Sequence, residues 1–233
     1  VNTDASGQGS LKYGKTSDHV LSLQAVFADG SCLESDLSHG LPAEGEFAHH
    51  ALAVTEAVCR DKRAQILNKF PPLNRFLTGY DLKNAINEED DSFDLTRVLC
   101  GAEGSLAFIT EAKLNLTPIP KARTLVNVKY NTFDSALRNA PFMVEAKALS
   151  VETVDSRVLN LAKQDIVWHT VSDLLMDVPN KEMLGINMVE FAGQDEEEVE
   201  QQVQALTAQL ESMVETEEAG VIGFQVCSDL ASI

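Results

Sequence analysis

The chain has 233 residues, 44% hydrophobic and 23% charged, which is enough apolar material for two modest cores and excludes wholesale disorder. With 36 acidic residues against 18 basic ones the formal charge is -18, a field that repels phosphate backbones and anionic headgroups, so no nucleic-acid or membrane-surface partner is expected. Four scattered cysteines without a CxxC pair, and no apolar run of membrane-spanning length, point to reduced thiols and a cytoplasmic setting.

Residues 1–18 read as a loop, since the stretch from Asp4 to Ser10 is built of small residues that let backbone approach another surface. Val1 lies inside this Gly/Ser-rich segment, which reads as a cut end. Residues 20–28 and Cys32-Leu33 flank Asp29-Gly30 and predict a strand pair. Apolar residues at helical spacing predict a helix over 47–70, ended by Pro71-Pro72. A short helix over 74–86 and an acidic loop over 87–91 follow. Strands are expected at 97–100 and 107–110 around the turn Gly101-Ala102-Glu103-Gly104, with 112–116 alternating onwards.

Thr117-Pro118-Ile119-Pro120 breaks the pattern, because neither proline can donate to a sheet ladder, and the domain boundary is placed there. Beyond it the expected order is strand 125–130, helix 132–146, strand 148–154, helix 156–162, strand 183–191, helix 194–214 and strand 220–227. The run Asp195-Glu196-Glu197-Glu198 falls in a helical stretch and reads as solvated surface. Strands alternating with helices, without a glycine-rich phosphate loop in each unit, indicate an α+β plait.

Gly9-Ser10-Leu11-Lys12-Tyr13-Gly14-Lys15-Thr16 satisfies the phosphate-loop pattern GxxxxGK[ST], which would make residues 9–16 a P-loop-like nucleotide-binding segment. That chemistry needs a buried strand before the loop and a helix beginning at Lys15-Thr16, and neither flank has that character. The dinucleotide fingerprint fails because Lys12 stands where a third glycine is needed. Trp168 and His169 are isolated and read as packing. The neighbours His49 and His50 cannot converge on one metal, so no metal ligands and no catalytic residue are assigned.

Two blocks carry a resemblance. The first runs Thr3-Asp4-Ala5-Ser6-Gly7, Tyr13-Gly14 and Asp18-His19-Val20-Leu21 to Ala28-Asp29-Gly30. The second runs Gly79-Tyr80-Asp81-Leu82, then Cys100 to Ala112 through Gly101-Ala102-Glu103-Gly104-Ser105, ending in Leu116-Thr117-Pro118-Ile119-Pro120. Together they resemble the FAD-binding domain of vanillyl-alcohol-oxidase-type flavoproteins, in the branch of D-lactate, glycolate and D-2-hydroxyglutarate dehydrogenases. The first block is also similar to large bacterial proteins that fuse such a module to an iron–sulfur segment.

The resemblance implies that residues 1–118 are the C-terminal part of an FAD-binding domain, an antiparallel sheet with helices, and 119–233 the N-terminal part of a ferredoxin-like cap. It implies FAD as cofactor, with Thr3, Ala5, Ser6 and Gly7 on the flavin and phosphate side, Tyr13 and Gly14 closing nearby, and Glu103, Gly104 and the Ile109 backbone on the far side. The intact enzyme is expected to oxidise a small 2-hydroxy acid by hydride transfer to FAD, passing electrons to an acceptor that the sequence does not identify. The resemblance also allows an iron–sulfur cluster in parts outside this chain. Because the two blocks report the cofactor and not the substrate, a flavin oxidase of another alcohol or aldonolactone is an alternative, and a non-enzymatic interaction fragment is another if the complete gene product lacks the phosphate loop and metal segment.

Where the family usually has Asn-Ala, this chain has Thr3-Asp4, so Asp4 is expected to bring negative charge toward an anionic cofactor. Ala107, within Leu106-Ala107-Phe108, is expected to narrow a backbone approach. The family's N-terminal pyrophosphate loop and its HxGxGNxH-type metal segment are not within these residues, which supply half a cradle. The chain by itself is expected to hold FAD weakly or not at all.

Overall fold

Residues 1–36, 43–73, 79–166 and 168–228 are described in a computed structural model, and they fall into two units, Val1–Thr117 and Pro118–Ile233. The sheet of the first unit has the order β3-β2-β1-β4 with every pair antiparallel. Its centre is β1 (Val20–Val26), flanked by β2 (Cys32–Asp36) and β4 (Phe108–Leu114), with β3 (Ala43–Glu44) beyond β2. The β1–β2 hairpin turns at Gly30, which adopts φ +86°, while Asp29 Oδ1 accepts from the Ser31 amide at 2.9 Å. Leu23 and Ala25 alternate inward with Val20 and meet Leu33, Ala48 and Cys59 in the core.

The segment expected to be one loop contains α1 (Ser10–Tyr13) and a single turn of 3-10 helix, Thr16–His19. The helix expected over 47–70 is two helices, α2 (Glu46–Asp61) and α3 (Arg63–Lys69), broken at Lys62 with φ -102° and ψ 10°. The helix expected over 74–86 is not formed across 79–86; residues 74–78 lie outside the described residues. Asp81 draws the chain into a local turn there, accepting from the Asn84 amide and side chain, a side-chain substitute for helical backbone bonding.

The strand expected over 97–100 is instead α4 (Thr96–Leu99). Leu95, Thr96, Val98, Leu99 and Cys100 are all buried and Arg97 alone is half-buried, so a single charged position does not tell period 2 from period 3.6. Asp94 Oδ1 accepts from the Thr96 amide at 2.8 Å and starts the turn.

The second unit is a four-stranded antiparallel sheet of order β6-β7-β5-β8. Its elements run β5 (Ala122–Tyr130), α5 (Phe133–Glu145), β6 (Ser150–Asp155), α6 (Ser156–Ala162), α7 (Trp168–Val171), β7 (Gly185–Gly193), α8 (Glu196–Thr216) and β8 (Val221–Cys227). This is the expected ferredoxin-like α+β plait. Val126, Val128, Tyr130, Val189 and Phe191 turn one face of the sheet toward Ala136 and Met143 of α5 and Val199, Val203, Leu206 and Leu210 of α8. Thr132, Asp155 and Asp195 cap α5, α6 and α8 through their side chains. Glu196, Glu197 and Glu198 occupy the first turn of α8, exposed, where acidic charge suits the helix dipole.

On the other face Asn127 donates to the Leu174 carbonyl at 2.7 Å, while Lys129 donates to Met176 O and Gln225 Oε1. Burial pulls the Lys129 ammonium below its ordinary value. Among the described residues no helix is long and apolar enough to cross a membrane.

Candidate functional site

In the first unit a cleft of about 560 Å³ is walled by residues 3–6, 79–81 and 100–103. That volume falls among ligand clefts, which run to about 300–1,000 Å³. Two of its walls are joined by backbone, since Gly101 N donates to Val1 O at 3.1 Å and Glu103 N to Asn2 O at 2.9 Å. Glu103 (φ +50°), Gly101 (φ +77°) and Gly104 (φ +79°) all lie in the left-handed region, which folds the 100–104 turn tightly.

A Cβ at Gly101 would lie 3.1 Å from Asp4 Cβ. Gly101→Val is therefore expected to cost about 1–3 kcal/mol, from strain at positive φ and from pressing on Asp4. A urea titration checks this, through a lower midpoint for the first unit's transition.

The cleft floor is ionic. Lys15 Nζ stands 2.7 Å from Asp81 Oδ2 and 3.0 Å from Asp4 Oδ2, all three side chains being at most 6% exposed. Asp4 also accepts from the Ser17 amide at 2.7 Å and Ser17 Oγ at 3.1 Å, and Asp81 Oδ2 accepts from Asn84 Nδ2 at 2.8 Å. Burial pulls the Lys15 ammonium down, but hydrogen bonds and charge from Asp81 and Asp4 outweigh it, and the net shift is upward. Burial pushes Asp81 up, while Asn84 and Lys15 together hold it below the usual carboxylate value.

Cys100, beside the cleft, is pushed up to about 12 by burial and by the Asp4 charge, so it is a neutral thiol and not a nucleophile at neutral pH.

Of the residues expected at the site, Thr3, Ala5, Ser6 and Glu103 are brought together along this cleft. Gly7 and Gly104 follow them in the chain, and a Cβ at either would meet nothing within 4 Å. Three others lie apart from the cleft lining. The Tyr13 carbonyl is 2.7 Å from His19 Nε2. Gly14 lines a separate hollow with Lys15, Asp18 and Arg97, and a Cβ there would collide with the Asp18 carboxylate. Ile109 sits in β4 opposite Ala25 and packs on the core.

Asp4 lines the cleft, and its carboxylate is engaged by Lys15 and Ser17. Ala107 packs on the core and does not line the cleft. Gly79, Tyr80, Asp81, Gly101 and Ala102 line it without having been expected, although the Gly-Tyr-Asp triplet and the Gly-Ala-Glu-Gly turn were visible signals.

The phosphate-loop reading is contradicted. Lys15 is buried between two carboxylates, α1 begins at Ser10 before the Lys-Thr pair, and among the described residues no strand precedes the loop. His49, His50 and His169 are exposed, and among the described residues no group of three or more His, Cys, Asp or Glu could hold a metal.

Short side chains around a cleft in one unit, followed by a ferredoxin-like plait, define a class, and residues 119–233 match the family described as FAD linked oxidases, C-terminal domain. Residues 119–233 belong to this family. It is 57% identical over 238 residues to a D-2-hydroxyglutarate dehydrogenase of Escherichia coli (strain K12), covering 100% of this chain and 23% of that protein. It is 55% identical over 242 residues to a D-2-hydroxyglutarate dehydrogenase of Pantoea ananatis (strain AJ13355), again covering 100% of this chain and 23% of the relative. The chain thus spans about a quarter of these relatives' length. Among solved structures, an alkyldihydroxyacetonephosphate synthase shares the fold with a TM-score of 0.57 at 15% identity, over 95% of this chain and 31% of that one.

Proposed function

We propose that the full-length protein containing this chain is an FAD-dependent dehydrogenase of a D-2-hydroxy acid, with D-2-hydroxyglutarate as the first substrate to test. The observation that carries this is the identity above one half, across the whole chain, to proteins of that name. FAD, when bound, accepts the hydride from the hydroxy acid. Residues 1–118 are its FAD-binding part and 119–233 the start of the cap.

The cleft fits this cofactor. Thr3, Ala5, Ser6, Gly101 and Ala102 keep side chains short where a flat ring or pyrophosphate must approach backbone, Gly7 and Gly104 leave open space beside it, and the Asp4 carboxylate is engaged by Lys15. The four cysteines are free, which supports a cytoplasmic setting.

The test is anaerobic mixing of the full-length protein with D-2-hydroxyglutarate, D-lactate or glycolate. Loss of the visible flavin absorption with D-2-hydroxyglutarate is expected; a flavin-free protein, or flavin that none of these acids reduces, refutes the reading. The isolated 233-residue chain is expected to retain little flavin, and recovery with stoichiometric yellow cofactor would contradict its role as half a cradle.

A further inference from the structure

The phosphate-loop look-alike is not explained by nucleotide binding, yet each of its last residues is engaged. Thr16 bonds Ala5 O through both its amide, at 3.0 Å, and its hydroxyl, at 2.8 Å. Lys15 reaches Asp4 on one wall of the cleft and Asp81, 66 residues away in sequence, on another. Val1 and Asn2, directly before the 3–6 wall, already join it to the 100–103 wall through backbone bonds from Gly101 and Glu103. Among the described residues the 79–81 wall has no such backbone bond to either of them. Among the described residues it is tied to the rest of the cleft by the exposed contact of Tyr80 Oη with Ser105 Oγ, 3.1 Å, and by the buried Lys15–Asp81 bond.

We propose that Lys15 is a positioning residue for the flavin site: its ammonium, held between Asp4 and Asp81, ties the 3–6 wall to the 79–81 wall and sets the width of the cleft. This rests on the flavin reading above. Lys15 touches no cofactor in this role; it acts through the two aspartates. Asp4 holds φ +46°, an uncommon conformation for a residue with a side chain, and its bonds to Lys15 and Ser17 keep it there. A clamp of this kind fails when either end is released, and releasing the second end then costs little more.

The experiment uses the full-length protein stripped of flavin and titrated with FAD, read by quenching of flavin fluorescence. The variants are Asp4→Asn, Asp81→Asn and the double substitution, each of which removes carboxylate charge facing Lys15 and leaves the packing volume nearly unchanged. Each single variant is expected to weaken FAD binding about tenfold, and the double variant to stay within about twofold of the weaker single, because coupled sites do not add. Losses that multiply, to about a hundredfold in the double variant, overturn the clamp, as do single variants with wild-type affinity. A merely structural pair would lower apoprotein stability without this non-additivity in FAD affinity. Wild-type protein that binds no FAD overturns the flavin reading and the clamp together, whereas FAD binding with multiplying losses overturns the clamp alone.

Discussion

Lys15→Met is expected to destabilise the first unit by about 3–5 kcal/mol, because removing one partner of a buried ionic cluster leaves uncompensated charge. Methionine fills the space of the stem and leaves the Asp4 and Asp81 carboxylates without their cation, each almost wholly buried. Asp81 keeps Asn84 as a donor, and Asp4 keeps Ser17, so the lost component is the charge.

The pH dependence follows from the directions of the shifts. Asp81 sits below its ordinary 3.8 in the folded chain, so its stabilisation is present above that value and is lost as pH falls through the lower folded one. Lys15 sits above its ordinary 10.5, so its contribution is complete below that value and is lost as pH rises through the higher folded one. The difference between wild type and variant is therefore expected to be widest at about pH 5–8 and to shrink toward both extremes. Urea midpoints of the first unit's transition, taken across that range and on both sides of it, test this. A gap that stays constant into acid would show that the effect is packing and not charge.

Asn187→Ala is expected to cost the second unit about 3 kcal/mol, from a cavity in a packed core and from polar groups left without partners. Asn187 is fully buried in β7. Its Nδ2 donates to Tyr130 Oη at 3.1 Å and to the Ala136 carbonyl at 3.0 Å, while its Oδ1 accepts from Thr153 Oγ1 at 2.8 Å. One amide thus joins β5, β6, β7 and α5. Burial raises the Tyr130 phenol above its ordinary value, so the group stays protonated and keeps needing a partner. Combined with Tyr130→Phe, which removes one stranded hydroxyl, the loss in thermal denaturation is expected to be smaller than the sum of the two.

Apart from α7, the helices and strands of the second unit were legible because their signals are local. Thr132, Asp155 and Asp195 stand where helix caps belong, and the strands read as apolar runs flanked by turns. The Asp29-Gly30 hairpin was equally plain. In the first unit α4 escaped, since a four-residue run with one half-buried charge, Arg97, has no period to read. The turn at 79–86 escaped because Asp81 answers to Lys15 and Asn84.

The site divides in the same way. Small residues at 3–7 and 101–104 announce close backbone approach in the primary structure itself, since a missing side chain acts wherever the backbone goes. Which face of Asp4 the cleft sees, and what Lys15 does, depended on contacts between residues 11 and 66 positions apart in the chain. The amino-acid sequence by itself determined the plait, the hairpin and the family-bearing blocks. Only the tertiary structure decided that a lysine matching a phosphate-loop pattern is the buried partner of two aspartates, because an ammonium removed from water binds the nearest carboxylates that folding delivers to it.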